Sequence, residues 1–217
     1  MLNSNQVKEM LIDIADMYIE KKEELSKYDA VIGDGDHGIT MARGAKAAKE
    51  KLINTEEGTC RDYFKLYGRT LVSTIGGAMG PLFGSIFLEL SKACKGNETF
   101  GINELSIGIS EAEKKVCDLG GAKVGDKTMV DALHPTAEAL MEAKKNEDDL
   151  QKALKKAVEA AKLGVQSTIP LVAKRGRSKY LQEKAIGHQD AGATSIYYLI
   201  KEIDRYLGNK GSDKSEI

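Results

Sequence analysis

Apolar residues recur at three-and-four spacing along most of the chain. Val7, Met10, Leu11, Ile14, Met17 and Tyr18 form one such face, which fits a helix and not the period-two alternation of a half-buried strand. The spacing returns in Cys60, Tyr63, Phe64, Tyr67 and Leu71, in Leu82, Ile86, Phe87 and Leu90, and in Leu105, Ile109, Ala112, Val116 and Leu119. Leu150, Leu154, Ala157, Val158 and Ala161 continue it, and Ile196, Tyr197, Ile200 and Ile203 close it. Two weaker helices are expected over about 40–52 and about 128–141, the second disturbed by Pro135, which lacks the N–H a helix interior needs. Asn103 is the expected N-cap of the fifth helix, and Gly120–Gly121 its stop. These elements predict an all-α antiparallel bundle of about eight helices in one domain over 1–208, followed by a polar, frayed tail over 209–217.

Glycine-rich stretches fall between the predicted helices: "IGDGDHG", "TIGGAMGPLFG", "LGGAKVGDKTM", "KRGRSKY" and "IGHQDAGATS". In an up-and-down bundle alternate connections share an end, so several of these segments are expected to converge there. Composition narrows what they could bind. The 217 residues carry 32 lysines and arginines against 33 aspartates and glutamates, a balance that excludes a global field for nucleic acid or an anionic membrane surface. No apolar run approaches the roughly 20 residues of a membrane span, and the opening "MLNSNQVKEMLIDIADMY" has no signal-peptide pattern, so a cytoplasmic protein is expected. Cys60, Cys94 and Cys117 are odd in number and widely spaced, which predicts buried free thiols over disulfides or a thiolate metal site.

Chemistry concentrates in the glycine-rich stretches. Asp29, Asp34 and Asp36 lie within eight residues, with Gly33 and Gly35 between them to let the carboxylates face one point. Such carboxylates repel one another unless a hard divalent cation sits among them, and magnesium takes one or two carboxylates plus phosphate and water oxygens. The competing reading is a solvated acidic turn. A calcium EF-hand is excluded, because the twelfth residue counted from Asp34 is Ala45 where a bidentate glutamate is required. "GGAMGPLFG" sets glycines just before a helix with Pro81 in its first turn, an arrangement whose free amides attract anions. "GAKVGDKTM" is no Walker loop, since Asp126 separates Gly125 from Lys127 and a helix precedes it. Lys127, Arg175 and Arg177 are candidate partners for phosphate charge. His37 and His188 are left out of the metal shell because magnesium prefers oxygen, and His134 is read as structural. No serine, histidine and acid set or reactive cysteine stands out.

"DAVIGDGDHGITMARG", "GGAMGPLFG", "GDKTMVDAL" and "GRSKYLQEKAIGHQDAGATS", in that order over nearly the whole chain, resemble the L subunits of bacterial dihydroxyacetone kinases. The resemblance implies an eight-helix barrel with magnesium and ADP or ATP at one end. It implies that Asp29, Asp34 and Asp36 hold magnesium and carry catalysis, and that His37, Gly38, Ile39 and Thr40 approach the nucleotide. Ala78 and Met79 would lie by the phosphates, with Gly120, Met129, Arg177, Asp190, Ala191 and Gly192 around the remainder. Such a subunit passes a phosphoryl group to dihydroxyacetone or a related short ketose held by a separate K subunit. In the branch tied to the phosphotransferase system, ADP stays bound as a coenzyme and a multiphosphoryl donor protein recharges it. In the other branch ATP is an exchangeable substrate. A homodimer is expected, without nucleic acid or membrane. The alternative is a non-catalytic nucleotide-sensing module that docks on a transcriptional regulator. Thr40, Met79 and Ala191 depart from the asparagine, serine and proline usual in the family.

Overall fold

A computed structural model describes residues 1–212. Nine α-helices occur among the described residues: α1 (Ser4–Glu20), α2 (Lys22–Ile32), α3 (His37–Ile53), α4 (Cys60–Thr74), α5 (Met79–Ala93), α6 (Ile102–Gly120), α7 (Val130–Lys145), α8 (Leu150–Ser167) and α9 (Ala191–Ser212). A 3-10 segment, Arg177–Ala185, lies between α8 and α9. Of the tail expected over 209–217, the first four residues fall within α9, and 213–217 lie outside the described residues.

Local chemistry starts several helices. Asn3 accepts from the amide of Gln6 while the Gln6 side chain accepts from Asn3, a reciprocal cap that satisfies two amides the first turn leaves free. Thr59 and Asp62 do the same for α4, and Asp149 caps α8 through the amide of Lys152. Asn103 is not a cap. The cap lies two residues earlier, at Gly101, and the helix begins at Ile102, where the Glu104 carboxylate reaches back 2.8 Å to the amide of Gly101. Its stop is as expected, with Gly121 in the left-handed conformation at φ 59°. Pro135 does not interrupt α7, which runs unbroken past it to Lys145.

Packing contacts run from α1 to α3, through each successive pair from α3 to α9, and from α9 back to α1. The apolar faces meet inside this circuit. Met10, Leu11, Ile14 and Tyr18 of α1 join Phe64, Tyr67 and Leu71 of α4 and Ile196, Leu199 and Ile200 of α9 in one continuous core. Rings interlock there, with Tyr67 and Phe87 centroids 4.3 Å apart and Phe64 and Phe100 5.0 Å apart. Cys60 and Cys94 are buried free thiols, and Cys117 is free and partly buried.

Helix α2 is the element the hydrophobic pattern did not predict. It lies against α3, α9 and the 3-10 segment and buries only Leu25 and Ile32, too few positions to generate a legible periodicity. With α2 in place, α2, α4, α6 and α8 finish, and α3, α5, α7 and α9 begin, around one end of the bundle. No helix among the described residues is long and apolar enough to cross a membrane.

Candidate functional site

The three aspartates are not on one loop. Asp29 sits in the last turn of α2, Asp34 in the connection, and Asp36 at the position before the first turn of α3. Their convergence depends on the short 33–36 connection. The Asp29 carboxylate folds so closely over Gly33 that a Cβ there would strike it, and Gly35 takes φ 75°, a left-handed conformation favourable only without a side chain. Asp36 makes no side-chain cap on α3, so its carboxylate is not committed to the helix end. One oxygen from each of Asp29, Asp34 and Asp36 then lies within 4.8 Å of the others. This all-oxygen set suits a hard divalent cation.

His37 opens α3 and turns inward. It is 6% exposed, its Nε2 lies 2.7 Å from Ser195 Oγ, and its ring stands edge-on to Phe83. Burial lowers its pKa to about 4, so the imidazole is neutral near pH 7 and bonded within the protein. Its Nε2 is engaged with Ser195, while its backbone amide donates to Asp29 Oδ2 at 3.3 Å. The next two residues do not line the cavity. Gly38 is pressed against the Lys22 carbonyl and Ser26 of α2, and Ile39 is 51% exposed.

A cavity of about 450 Å³ opens beside the carboxylates. Asp29, Asp34, Asp36, His37, Thr40, Ala78, Met79, Gly120, Met129, Arg177, Asp190, Ala191 and Gly192 all line it, drawn from five α-helices, the 3-10 segment and the connections between them. The amino ends of α3, α5, α7 and α9 border this one space. α5 has no side-chain cap, so its first-turn amides face the cavity end without a side-chain acceptor, whereas at α7 the Val130 amide donates to Thr128 Oγ1 at 3.2 Å; the aligned helix dipoles add positive potential at both ends. Phosphate binds readily in such surroundings.

The cations divide. Arg177 pairs with Asp34, tying the 3-10 segment to the acidic connection. Arg175 lines the cavity and approaches Asp126 at 3.6 Å. Lys127 is 1% exposed, with Nζ donating to the carbonyls of Thr168 and His188, so it is not a free phosphate cation. Asp190 accepts from the Ala193 amide at 2.7 Å and keeps a partly exposed edge at the cavity. Desolvation pushes its pKa up to about 7, with Asp131 adding to the rise and the Ala193 amide and Lys127 opposing it.

Some lining residues escaped the sequence. Arg43 follows Thr40 by three positions, and Leu82 and Phe83 follow Met79 by three and four, so helical spacing from a recognised residue was the signal available. Val116, Ala122 and Val130 complete an apolar wall with Leu82, Phe83 and Met129, and nothing local distinguishes them from core.

Fold and site together define an all-helical domain with three carboxylates close enough to share a cation, beside a cavity bordered by helix amino ends. Comparison with known proteins is consistent with this. Residues 31–205 match the DAK2 domain. The chain is 36% identical over 200 residues, 92% of its own length and 95% of the relative's, to the ADP-binding subunit of the PEP-dependent dihydroxyacetone kinase of Escherichia coli. It is 39% identical over 184 residues, 85% and 88% of the two lengths, to the ADP-binding subunit of the PTS-dependent enzyme of Lactococcus lactis. A solved dihydroxyacetone kinase of C. freundii, in complex with AMP-PNP and Mg2+, superposes with a TM-score of 0.70 at 24% identity, covering 94% of this chain and 35% of that one. The chain spans about a third of that solved chain, and the likeness shows the shared fold. The chain belongs to the DAK2-domain family.

Proposed function

We propose that this chain is the nucleotide-binding subunit of a dihydroxyacetone kinase or related short-ketose kinase, passing a phosphoryl group from magnesium-bound nucleotide to a ketose held by a separate K subunit. The observation that carries the reading is the three-carboxylate cluster within 4.8 Å at a cavity ringed by four helix amino ends and three arginines, Arg43, Arg175 and Arg177. Asp29, Asp34 and Asp36 would hold magnesium. The α5 amides and Arg177 would hold phosphate oxygens, and the wall of Leu82, Phe83, Val116 and Met129 would take the base. When bound, the metal supplies charge neutralisation on the transferring group, and this chain's part is positioning and a preorganised field.

The match to ADP-binding subunits over nearly their full length supports ADP as a retained coenzyme, recharged by a phosphotransferase-system donor protein, over exchangeable ATP. A homodimer in the cytoplasm and a K partner complete the reading. A regulator-docking role would use the same nucleotide-dependent surface. The first test is to purify the protein without added nucleotide, denature it, and assay released nucleotide by chromatography together with bound metal. Near-stoichiometric ADP with magnesium is expected, and an empty protein that also fails to bind added ADP or ATP overturns the reading. Asp34→Ala, which removes one ligand but no core contact, is expected to abolish magnesium-dependent nucleotide binding with helicity intact.

A further inference from the structure

Lys127 combines three features that a surface cation does not have. It is 1% exposed, although lysine is almost never fully buried without partners. Its backbone stands at φ 60°, a left-handed conformation unfavourable for any residue with a Cβ. Its ammonium meets two backbone carbonyls in place of a contacting carboxylate: Thr168 at 2.6 Å, the C-cap of α8, and His188 at 2.5 Å, in the segment leading to α9. A helix carboxyl end carries partial negative charge and suits an ammonium.

The turn that holds Lys127 is itself fixed. Asp131 accepts from the Gly125 amide at 2.6 Å through one oxygen and from the Thr128 amide at 2.7 Å through the other. Across from it, segment 187–190 has two further ties to the end of α8. The Gly187 amide donates to the Ile169 carbonyl at 2.8 Å, and the Asp190 amide donates to Thr168 Oγ1 at 3.0 Å. Among the described residues, Lys127 alone spans from the α7 amino end to both the end of α8 and segment 187–190 through one side chain. Asp190, Ala191 and Gly192 follow at once and line the cavity.

We propose that Lys127 is a positioning residue whose ammonium clamps segment 187–190 and the amino end of α9 against the amino end of α7, fixing the spacing of two helix ends across the cavity. The functional consequence rests on the nucleotide reading above; the clamp itself does not. Two full-length variants test it, Lys127→Met, which keeps the bulk without donors, and Lys127→Gly, which also relieves the left-handed backbone and leaves space for n-butylammonium. Amide hydrogen exchange and magnesium-ADP affinity are measured for each, with sodium chloride at equal ionic strength as the control for the amine.

At least tenfold faster exchange of the Gly187 and Asp190 amides is expected in both variants, with α1 and α4 amides unchanged, and at least a tenfold rise in the ADP dissociation constant. n-Butylammonium is expected to reverse both effects in the glycine variant and neither in the methionine variant. Unchanged exchange at Gly187 and Asp190 overturns the proposal. Weaker ADP binding with unchanged exchange also overturns it, because Lys127 would then act on the ligand directly. If wild type binds no ADP, the nucleotide reading fails by itself and the exchange data still decide the clamp. The glycine variant guards against a folding failure of Lys127→Met.

Discussion

Gly38→Ala and Gly208→Ala add the same methyl group to two helices with opposite expected results. At Gly38 the new Cβ would strike the Lys22 carbonyl and lie 2.7 Å from the Ser26 amide nitrogen and 2.8 Å from Ser26 Oγ. Two of these neighbours are backbone of α2 and cannot rotate away, so the first turn of α3 must move. Overpacking costs about 1–3 kcal/mol, and rigid backbone on the receiving side places this site near the upper end. Alanine's better helix propensity returns up to about 1 kcal/mol, leaving a net loss of about 2 kcal/mol. For a chain of this size that corresponds to a fall in Tm of about 4–8 °C. At Gly208 no heavy atom of the described residues lies within 4 Å of the added carbon, and the propensity gain should raise Tm by about 1–4 °C.

Calorimetry of the two variants beside wild type reads both signs in one experiment. Magnesium-dependent nucleotide binding provides the second readout, because the turn that moves lies between Asp36 and Thr40 at the cavity. Displacing it shifts Asp36 relative to Asp29, and affinity should fall in Gly38→Ala alone. A Gly38→Ala protein that melts within 1 °C of wild type and binds nucleotide equally well refutes the argument that close α2–α3 contact sets the carboxylate geometry.

Three further outcomes follow from the site. His37 has a pKa lowered from its ordinary 6.5 to about 4, so the unfolded chain takes up a proton first as pH falls, and about 3 kcal/mol of stability should be lost between pH 6.5 and 4. Urea denaturation of wild type against His37→Gln isolates that slope from the carboxylates, and parallel curves would sink the assignment. The opposite sign holds for Asp190, raised from 3.8 to about 7, whose ionisation costs stability as pH climbs through that window; Asp190→Asn should be the more stable protein at pH 8, by 1–2 kcal/mol once cavity solvation is discounted, on an order-of-magnitude basis, yet bind nucleotide differently. Met79→Ser should tighten nucleotide binding by about tenfold, the lower end of what one hydrogen bond to a charged group contributes, as read by calorimetric titration; no change would mean that backbone amides alone hold the phosphate at α5.

Amphipathic helices were legible because each carries its own evidence. Tyr63, Phe64, Tyr67 and Leu71 repeat at helical spacing whatever they pack against, whereas the Asn3–Gln6 and Thr59–Asp62 caps emerged only with the structure. Equally legible was the concentration of Asp29, Asp34 and Asp36 among glycines, which predicted that the three carboxylates face one point. Helix α2 was illegible because it buries two apolar residues, and its stability comes from contact with α3, α9 and the 3-10 segment.

What the sequence determined by itself was therefore the class of fold and the glycine-rich segments that border the cavity, both of which follow from short-range periodicity and side-chain chemistry. Only the tertiary structure decided which side of each residue meets the cavity. It turned His37 away toward Ser195, set Gly38 against α2, brought Arg43 to the wall and committed Lys127 to carbonyls 41 and 61 residues away. Those assignments depend on how helices distant in sequence cross one another, and burial converts the same lysine from a mobile surface charge into a fixed internal contact.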